Sequence, residues 1–186
     1  MFPVTIRTTR LVIRELDSSD ADAVQRCAGD PEVVRNLPFG PNTPDQTRRF
    51  VERVMLTQRD SPRRNYEMAI SQNDGLIGCV RLTVRSAVDR QGDVGYMLRR
   101  DCWGNGFMTE ATRAILGFGF ESLGLHRIWA TCGTENVASG RVLEKIGMRR
   151  EGHLLHERLV REKWRDTYVY AVLENDWRSG QPASSG

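Results

Sequence analysis

The chain of 186 residues is 39 % hydrophobic and 27 % charged, a length that suits one compact domain of ~100–200 residues. Lys and Arg number 27 against 24 acidic residues, a net charge of +3, too small to mark a dedicated nucleic-acid binder but compatible with an anionic small ligand. Only Lys145 and Lys163 are lysines, and the arginines are spread along the chain, a sequence-wide bias and not a binding patch.

Cys27, Cys79, Cys102 and Cys132 lie 52, 23 and 30 positions apart with no C-x-x-C, so the chain reads as reduced and cytoplasmic. His153 and His156 fall on opposite faces of a strand by alternation, and no metal site is expected. Met1–Arg7 has no apolar signal core and no run approaches ~18 apolar residues, so neither secretion nor membrane spanning is expected.

In chain order, Leu11–Leu16 alternates as a first strand, and Asp17-Ser18-Ser19-Asp20 supplies N-caps for a helix to about Cys27. Thr43-Pro44-Asp45-Gln46 combines a capping Thr, Pro at the first helical position and Gln three residues on, which starts a helix reaching about Gln58. Strands at Tyr66–Ile70 and Leu76–Val84 flank a hairpin turn at Asn73-Asp74-Gly75. A strand Asp93–Leu98 follows, then a glycine-bearing loop at 103–106, a helix from about Thr109 to Ser122, a strand His126–Cys132, a helix Asn136–Ile146 and closing strands at 151–163 and 166–174. Residues 1–178 read as a single domain and 179–186 as a disordered, low-complexity tail. An antiparallel meander followed by two strand-helix-strand steps implies an α/β (α+β) fold: a mixed sheet with helices on both faces.

The stretch Tyr96–Ala111 carries the first chemical signal. Gly104 and Gly106 stand between a strand and the first turn of a helix. They let backbone N–H groups converge on one anion with no side chain in the way. The helix adds unpaired N–H groups and a positive dipole end of roughly +0.5 charge, so a pyrophosphate is the natural guest. A P-loop would need G-x-x-x-x-G-K-[ST], and a dinucleotide fingerprint a third glycine where Thr109 stands. Taken alone, Gly104-Asn105-Gly106 is better read as a turn and a helix entry. After the next strand, Asn136 can cap a helix and Ser139 lies three residues on, so both present polar groups at one helix end. The plain alternative is a capping Asn followed by an ordinary first-turn Ser.

In this order the two blocks resemble the general-control-type N-acetyltransferase superfamily (GNAT), in its branch of ribosomal-protein N-terminal acetyltransferases. Thr9-Arg10-Leu11-Val12-Ile13-Arg14 resembles the branch's opening strand and Gly95-Tyr96-Met97-Leu98 its central one. Trp103–Ala111 resembles its coenzyme A loop, and Asn136–Ser139 through Leu143–Met148 its second cofactor helix. Trp164-Arg165-Asp166 with Tyr170 resembles its closing strands. Of the superfamily's Gln/Arg-x-x-Gly-x-Gly/Ala pattern only the central glycine, Gly106, is met, with Trp103 and Met108 at its ends.

The resemblance implies a GNAT fold: a mixed, mostly antiparallel central sheet of about seven strands, splayed at a cofactor cleft between the strands at 93–99 and 126–132. It implies acetyl-CoA as cosubstrate. The main chain of Trp103, Gly104, Asn105, Gly106, Phe107 and Met108, on to Thr109, would hold the pyrophosphate. Met97, Leu98 and Arg99 would take the pantetheine like an added strand, Asn136 would bind its arm, and Ser139 would sit by the sulfur.

The implied reaction is direct attack of a neutral primary amine on the thioester in a ternary complex. By analogy, a backbone N–H near Leu98 stabilises the charge growing on the carbonyl oxygen. Ser139 is the candidate proton donor to the thiolate, with free thiol release as the competing account. The branch assigns its base to a Glu on the strand after the second cofactor helix, and alignment through Glu151-Gly152 puts Arg158 there. Glu157, next door, is expected to face the other side of the strand. Asp93 and Glu67 are further candidates, alongside a water-relayed base.

The acceptor is expected to be a protein N-terminal α-amine. An amino-bearing small molecule or antibiotic is the alternative, because the same scaffold with other loops serves both, and a non-catalytic acyl-CoA-binding module is a third reading. The loop 29–43, shaped by Pro38, Gly40 and Pro41, is expected to wall the acceptor site; Arg35, Arg48 and Arg49 nearby argue against an acidic cleft for cationic antibiotics. No metal, membrane or direct nucleic-acid partner is implied, and a homodimer through the closing strands is allowed.

Overall fold

The computed structural model describes residues 3–73 and 75–180. In chain order the strands are β1 (Thr5–Arg7), β2 (Val12–Glu15), β3 (Asn65–Gln72), β4 (Gly75–Ser86), β5 (Gln91–Leu98), β6 (Arg127–Gly133), β7 (Arg149–Val160) and β8 (Lys163–Leu173). The helices are α1 (Ala21–Ala28), α2 (Pro31–Val34), α3 (Pro44–Thr57), α4 (Phe107–Gly117), α5 (Val137–Lys145) and α6 (Glu174–Ser179). Among the described residues one sheet runs in the order β1-β2-β3-β4-β5-β6-β8-β7, antiparallel throughout except between β5 and β6.

The expected mixed GNAT sheet is present, with one strand more than the expected seven. The extra strand, β1, spans only Thr5-Ile6-Arg7 and forms by pairing with Val12–Arg14, so it has no length in which to show a period. The second strand-helix-strand step also differs: β7 does not lie beside β6. A tight turn through Arg161 and Glu162, with φ of +47° and +64°, folds β8 back, and β8 pairs with all of β6 from Arg127 to Gly133. The loop 29–43 contains the short helix α2, and Ser179 closes α6; the expected tail beyond Gly180 lies outside the described residues.

Helices cover both sheet faces. Val24 and Cys27 of α1 and Val51 and Val54 of α3 pack with Ala69, Cys79 and Met97 on one side. Ile115 and Leu116 of α4 and Leu143 of α5 pack with Val80, Leu82, Val94 and Ile128 on the other. Strand β4 is therefore buried on both faces from Leu76 to Val80, which is why that stretch reads as a continuous apolar run and not an alternating one. The four cysteines are free and buried; burial pushes the thiol of Cys27 up to about 12 and that of Cys132 up to about 11. No described helix is long and apolar enough to cross a membrane.

Candidate active site

Only Gln91 with Arg127, Gly92 with Ile128 and Asp93 with Trp129 join the parallel strands β5 and β6. Beyond them β5 follows β4 as far as Leu98, and β6 follows β8 as far as Gly133. The strands part, leaving main-chain groups of residues 94–98 facing a gap. The N–H of Arg99 donates to the Ile77 carbonyl at 2.8 Å, so strand alternation turns the N–H and C=O of Leu98 the other way, into the gap. The Leu98 carbonyl accepts the indole N–H of Trp103 at 2.8 Å. Gly78 allows this close approach of β4: a Cβ there would stand 2.4 Å from the Met97 carbonyl oxygen.

The glycine loop closes one end of the gap. Gly104 and Gly106 take φ of +78° and +77°, a region that costs other residues ~1–2 kcal/mol, and a Cβ at Gly104 would meet nothing within 4 Å. In α4 the first amide engaged through the turn is that of Glu110, on the Gly106 carbonyl at 3.1 Å; the N–H groups of Phe107, Met108 and Thr109 have no main-chain acceptor among the described residues. An open concavity lined by unpaired donors fits a pyrophosphate. One expectation is corrected: the amide of Trp103 is spent on the Arg100 carbonyl at 3.1 Å, so that residue contributes its indole and not its N–H.

Arg10 braces this loop from far away in sequence. Its guanidinium donates to the Asn105 carbonyl at 3.0 Å and to Glu110 at 2.7 Å, and lies 4.7 Å from the centre of the Phe107 ring. Met97, Leu98, Phe107 and Met108 are buried, so they offer main chain to a ligand. The Arg99 side chain is held by Asp101 at 2.6 Å.

Across the gap, Asn136 caps α5 by accepting the Ser139 N–H at 3.2 Å. The Ser139 hydroxyl stands 2.9 Å from the hydroxyl of Tyr96, which also donates to the Ser139 carbonyl at 3.2 Å. Burial pushes the Tyr96 hydroxyl far above its ordinary value, so it stays protonated at neutral pH. Tyr96 thus ties β5 to the start of α5, a contact over 43 positions that sequence spacing does not show.

The opposite face of the sheet carries a second concavity. Arg161, at the β7–β8 turn, donates to the carbonyls of Arg35 at 2.6 Å, Val34 at 3.0 Å and Gly40 at 3.3 Å. At its other end the loop 29–43 meets the stretch after β5 through Asp30 and Arg100, 3.6 Å apart. The loop therefore straps across the diverging strands. Beside it lies a groove of about 240 Å³ whose walls include Arg35, Gly133, Arg158, Trp164 and Thr167.

Two candidate carboxylates sit on this face in ion pairs. Asp93, buried at the last β5–β6 pair, receives Arg81 at 2.6 Å and also Arg85. Glu157 accepts from Thr167 at 3.0 Å and lies 3.4 Å from Arg158, which itself reaches the Thr131 hydroxyl at 3.4 Å. Thr131 and Thr167 share one sheet face by register. Glu157 and Arg158 thus reach the same side, against the expected alternation. The cause is an irregularity between Leu154 and Arg158, where His156 takes φ of +47°. Asp166 meets both the His153 ring and the His156 main-chain N–H, at 3.0 and 2.9 Å.

A main-chain cradle in a splayed sheet, two helix N-termini converging on it and a roofed groove behind point to an acyl-group transferase. The chain belongs to the GNAT acetyltransferases: the family described as Acetyltransferase (GNAT) domain matches residues 10–149. It is similar to the uncharacterized N-acetyltransferase YnaD of Bacillus subtilis (strain 168), 34 % identical over 172 residues that cover 92 % of this chain and 98 % of that protein. Ribosomal-protein acetyltransferases are also among its relatives. The [ribosomal protein uS5]-alanine N-acetyltransferase of Escherichia coli (strain K12) is 31 % identical over 88 residues, 47 % of this chain and 45 % of that one. The fold matches that of Mycobacterium smegmatis RimJ in complex with CoA-disulfide, with a TM-score of 0.84 at 24 % identity, covering 94 % of this chain and 90 % of that one.

Proposed function

We propose that the protein transfers an acetyl group from acetyl-CoA to a protein N-terminal α-amine by direct attack in a ternary complex. Acetyl-CoA supplies the acyl group activated as a thioester. The amides of Gly104 through Thr109 hold its pyrophosphate, the gap-facing edge of β5 up to Leu98 lies along the pantetheine, and Asn136 binds that arm; the Arg99 main chain is engaged by Ile77 and Cys102. The Leu98 N–H, turned into the gap, donates to the carbonyl oxygen as charge grows on it. Ser139, held by Tyr96, protonates the departing thiolate. Asp93 and Glu157, both ion-paired, shape the acceptor floor. Direct attack suits a protein whose cysteine thiols are buried and shifted upward, since none is poised as a nucleophile.

The observation that carries the acceptor class is the strapped groove. Its volume of about 240 Å³ is below the ~300–1,000 Å³ of small-molecule pockets, and its roof suits the end of an extended chain. The test is thiol release from acetyl-CoA across a panel of short peptides and aminoglycosides. Turnover of peptides with a free N-terminus, lost when that terminus is blocked, is the expected result. Turnover of aminoglycosides alone would overturn the acceptor class, and tight binding without any turnover would overturn the enzyme reading.

A further inference from the structure

We propose that Glu67, on β3, is the group that accepts the proton lost by the acceptor ammonium, reached through water across the sheet face beside the splayed strands. The proposal rests on the acetyl-transfer reading above.

Register sets the geometry. Glu67 lies opposite Arg81 of β4, and Arg81 opposite Gly95 of β5, the second residue beyond the last β5–β6 pair. Alternation puts Glu67, Arg81 and Gly95 on the sheet face of Ala69, Cys79 and Met97, the face under the strap. Gly95 leaves room for the Arg81 guanidinium, whose Nη2 lies 3.1 Å from the place a Cβ would occupy. That guanidinium is drawn to Asp93 at 2.6 Å. Glu67 is left with no hydrogen bond or ion pair among the described residues.

The other carboxylates near the groove are all engaged: Asp93 by two arginines, Glu157 by Thr167 and Arg158, Glu135 by Arg165 and Asp166 by His153. Burial pushes the Glu67 carboxyl up to about 7, against the lowering influence of Arg81 on β4 and Arg53 on α3. The remaining titratable neighbour, Cys79 on β4, is itself held protonated, chiefly by burial. An unpaired carboxyl that titrates near the working pH is matched to taking a proton there.

The step balances simply. The ammonium gives one proton through water to the Glu67 carboxylate, and the freed nitrogen pair attacks the thioester carbonyl carbon as the C–S bond breaks. The nitrogen's second proton makes good the one that reaches the thiolate. The products are amide, thiol and one proton, which Glu67 returns to solvent.

The test uses the full chain with saturating acetyl-CoA and whichever amine of the panel turns over best. Glu67→Gln is expected to lower turnover at pH 7 by about 10²-fold, to remove the limb of the pH profile near 7 and to leave acetyl-CoA affinity unchanged. Glu67→Asp is expected to restore part of the rate. A peptide ending in an aminooxy group, neutral at pH 7, should lose far less. An unchanged rate, or equal losses on both amines with the limb intact, overturns the proposal. If only aminoglycosides turn over, the peptide reading fails alone and the variant is judged on them; if no amine turns over, both fail. Folding is checked by melting. The folded carboxyl keeps its proton up to about 7 whereas the unfolded one releases it near 4.5, so wild-type stability falls as pH rises between those values and the variant escapes that loss. The gain in melting temperature of Glu67→Gln over wild type should therefore grow from pH 5 to pH 7.5.

Discussion

The two concavities flanking the splayed strands are built from different materials. The side we assign to the acetyl donor is mainly main chain: the amides of residues 104–109, the outward-turned Leu98 N–H, and two helix N-termini. The side we assign to the acceptor is mainly side chain: Arg161 on three carbonyls, Arg100 on Asp30, Arg158 between Glu157 and Thr131. Backbone donors on a helix end are held by the helix itself, so that side depends on backbone conformation more than on side-chain identity. Long arginines spanning loops make a site that substitution readily reshapes, which suits the half that chooses the acceptor.

That contrast predicts separable defects. The largest is expected from Ser139→Ala, which should lower turnover ~10²–10⁴-fold with little change in acetyl-CoA affinity; steady-state rates beside titration calorimetry decide it, and an unchanged rate would exclude Ser139 as the proton donor. Next, Gly106→Val must hold a branched residue at φ +77° and should weaken acetyl-CoA binding about 10-fold, the equivalent of ~1–2 kcal/mol. Its turnover at saturating donor should stay near wild type. Arg161→Ala should leave acetyl-CoA affinity alone and raise the KM for peptide several-fold, about 1–3 kcal/mol being the usual cost of stranded polar groups; a matching loss of donor affinity would break the proposed division. Tyr96→Phe should be mildest, a few-fold in turnover from losing the bond to the Ser139 hydroxyl, ~0.5–1.5 kcal/mol, and should add little to Ser139→Ala, which keeps only the Tyr96 bond to the Ser139 carbonyl.

The shape of the glycine-loop concavity was legible because its signals are local. Gly104, Gly106, Asn136 and Ser139 act within a turn of themselves, and the Thr43–Gln46 box forms as read, with the Thr43 N–H on Gln46 Oε1 at 2.8 Å and the Gln46 N–H on Thr43 Oγ1 at 3.3 Å. The acceptor side was legible only as a loop. Glu157 and Arg158 were assigned opposite faces because alternation is the default of a strand, and nothing nearby in the sequence announces that His156 breaks it. Arg10 and Tyr96 lie within the family-like strands, yet their partners Asn105 and Ser139 lie 95 and 43 positions away.

The sequence by itself determined the caps of α3 and α5, the glycine turn before α4, the central strands and, through their order, the family, since each follows from contacts among residues a few positions apart or from a hydrophobic period. Tertiary structure alone decided that β8 slides between β6 and β7, that Arg161 reaches back 127 positions to Val34, and that Arg81 turns to Asp93 and leaves Glu67 unpaired. These outcomes depend on which strands become neighbours and which of several charges a guanidinium reaches first, distances that exist only once the sheet has closed around its core.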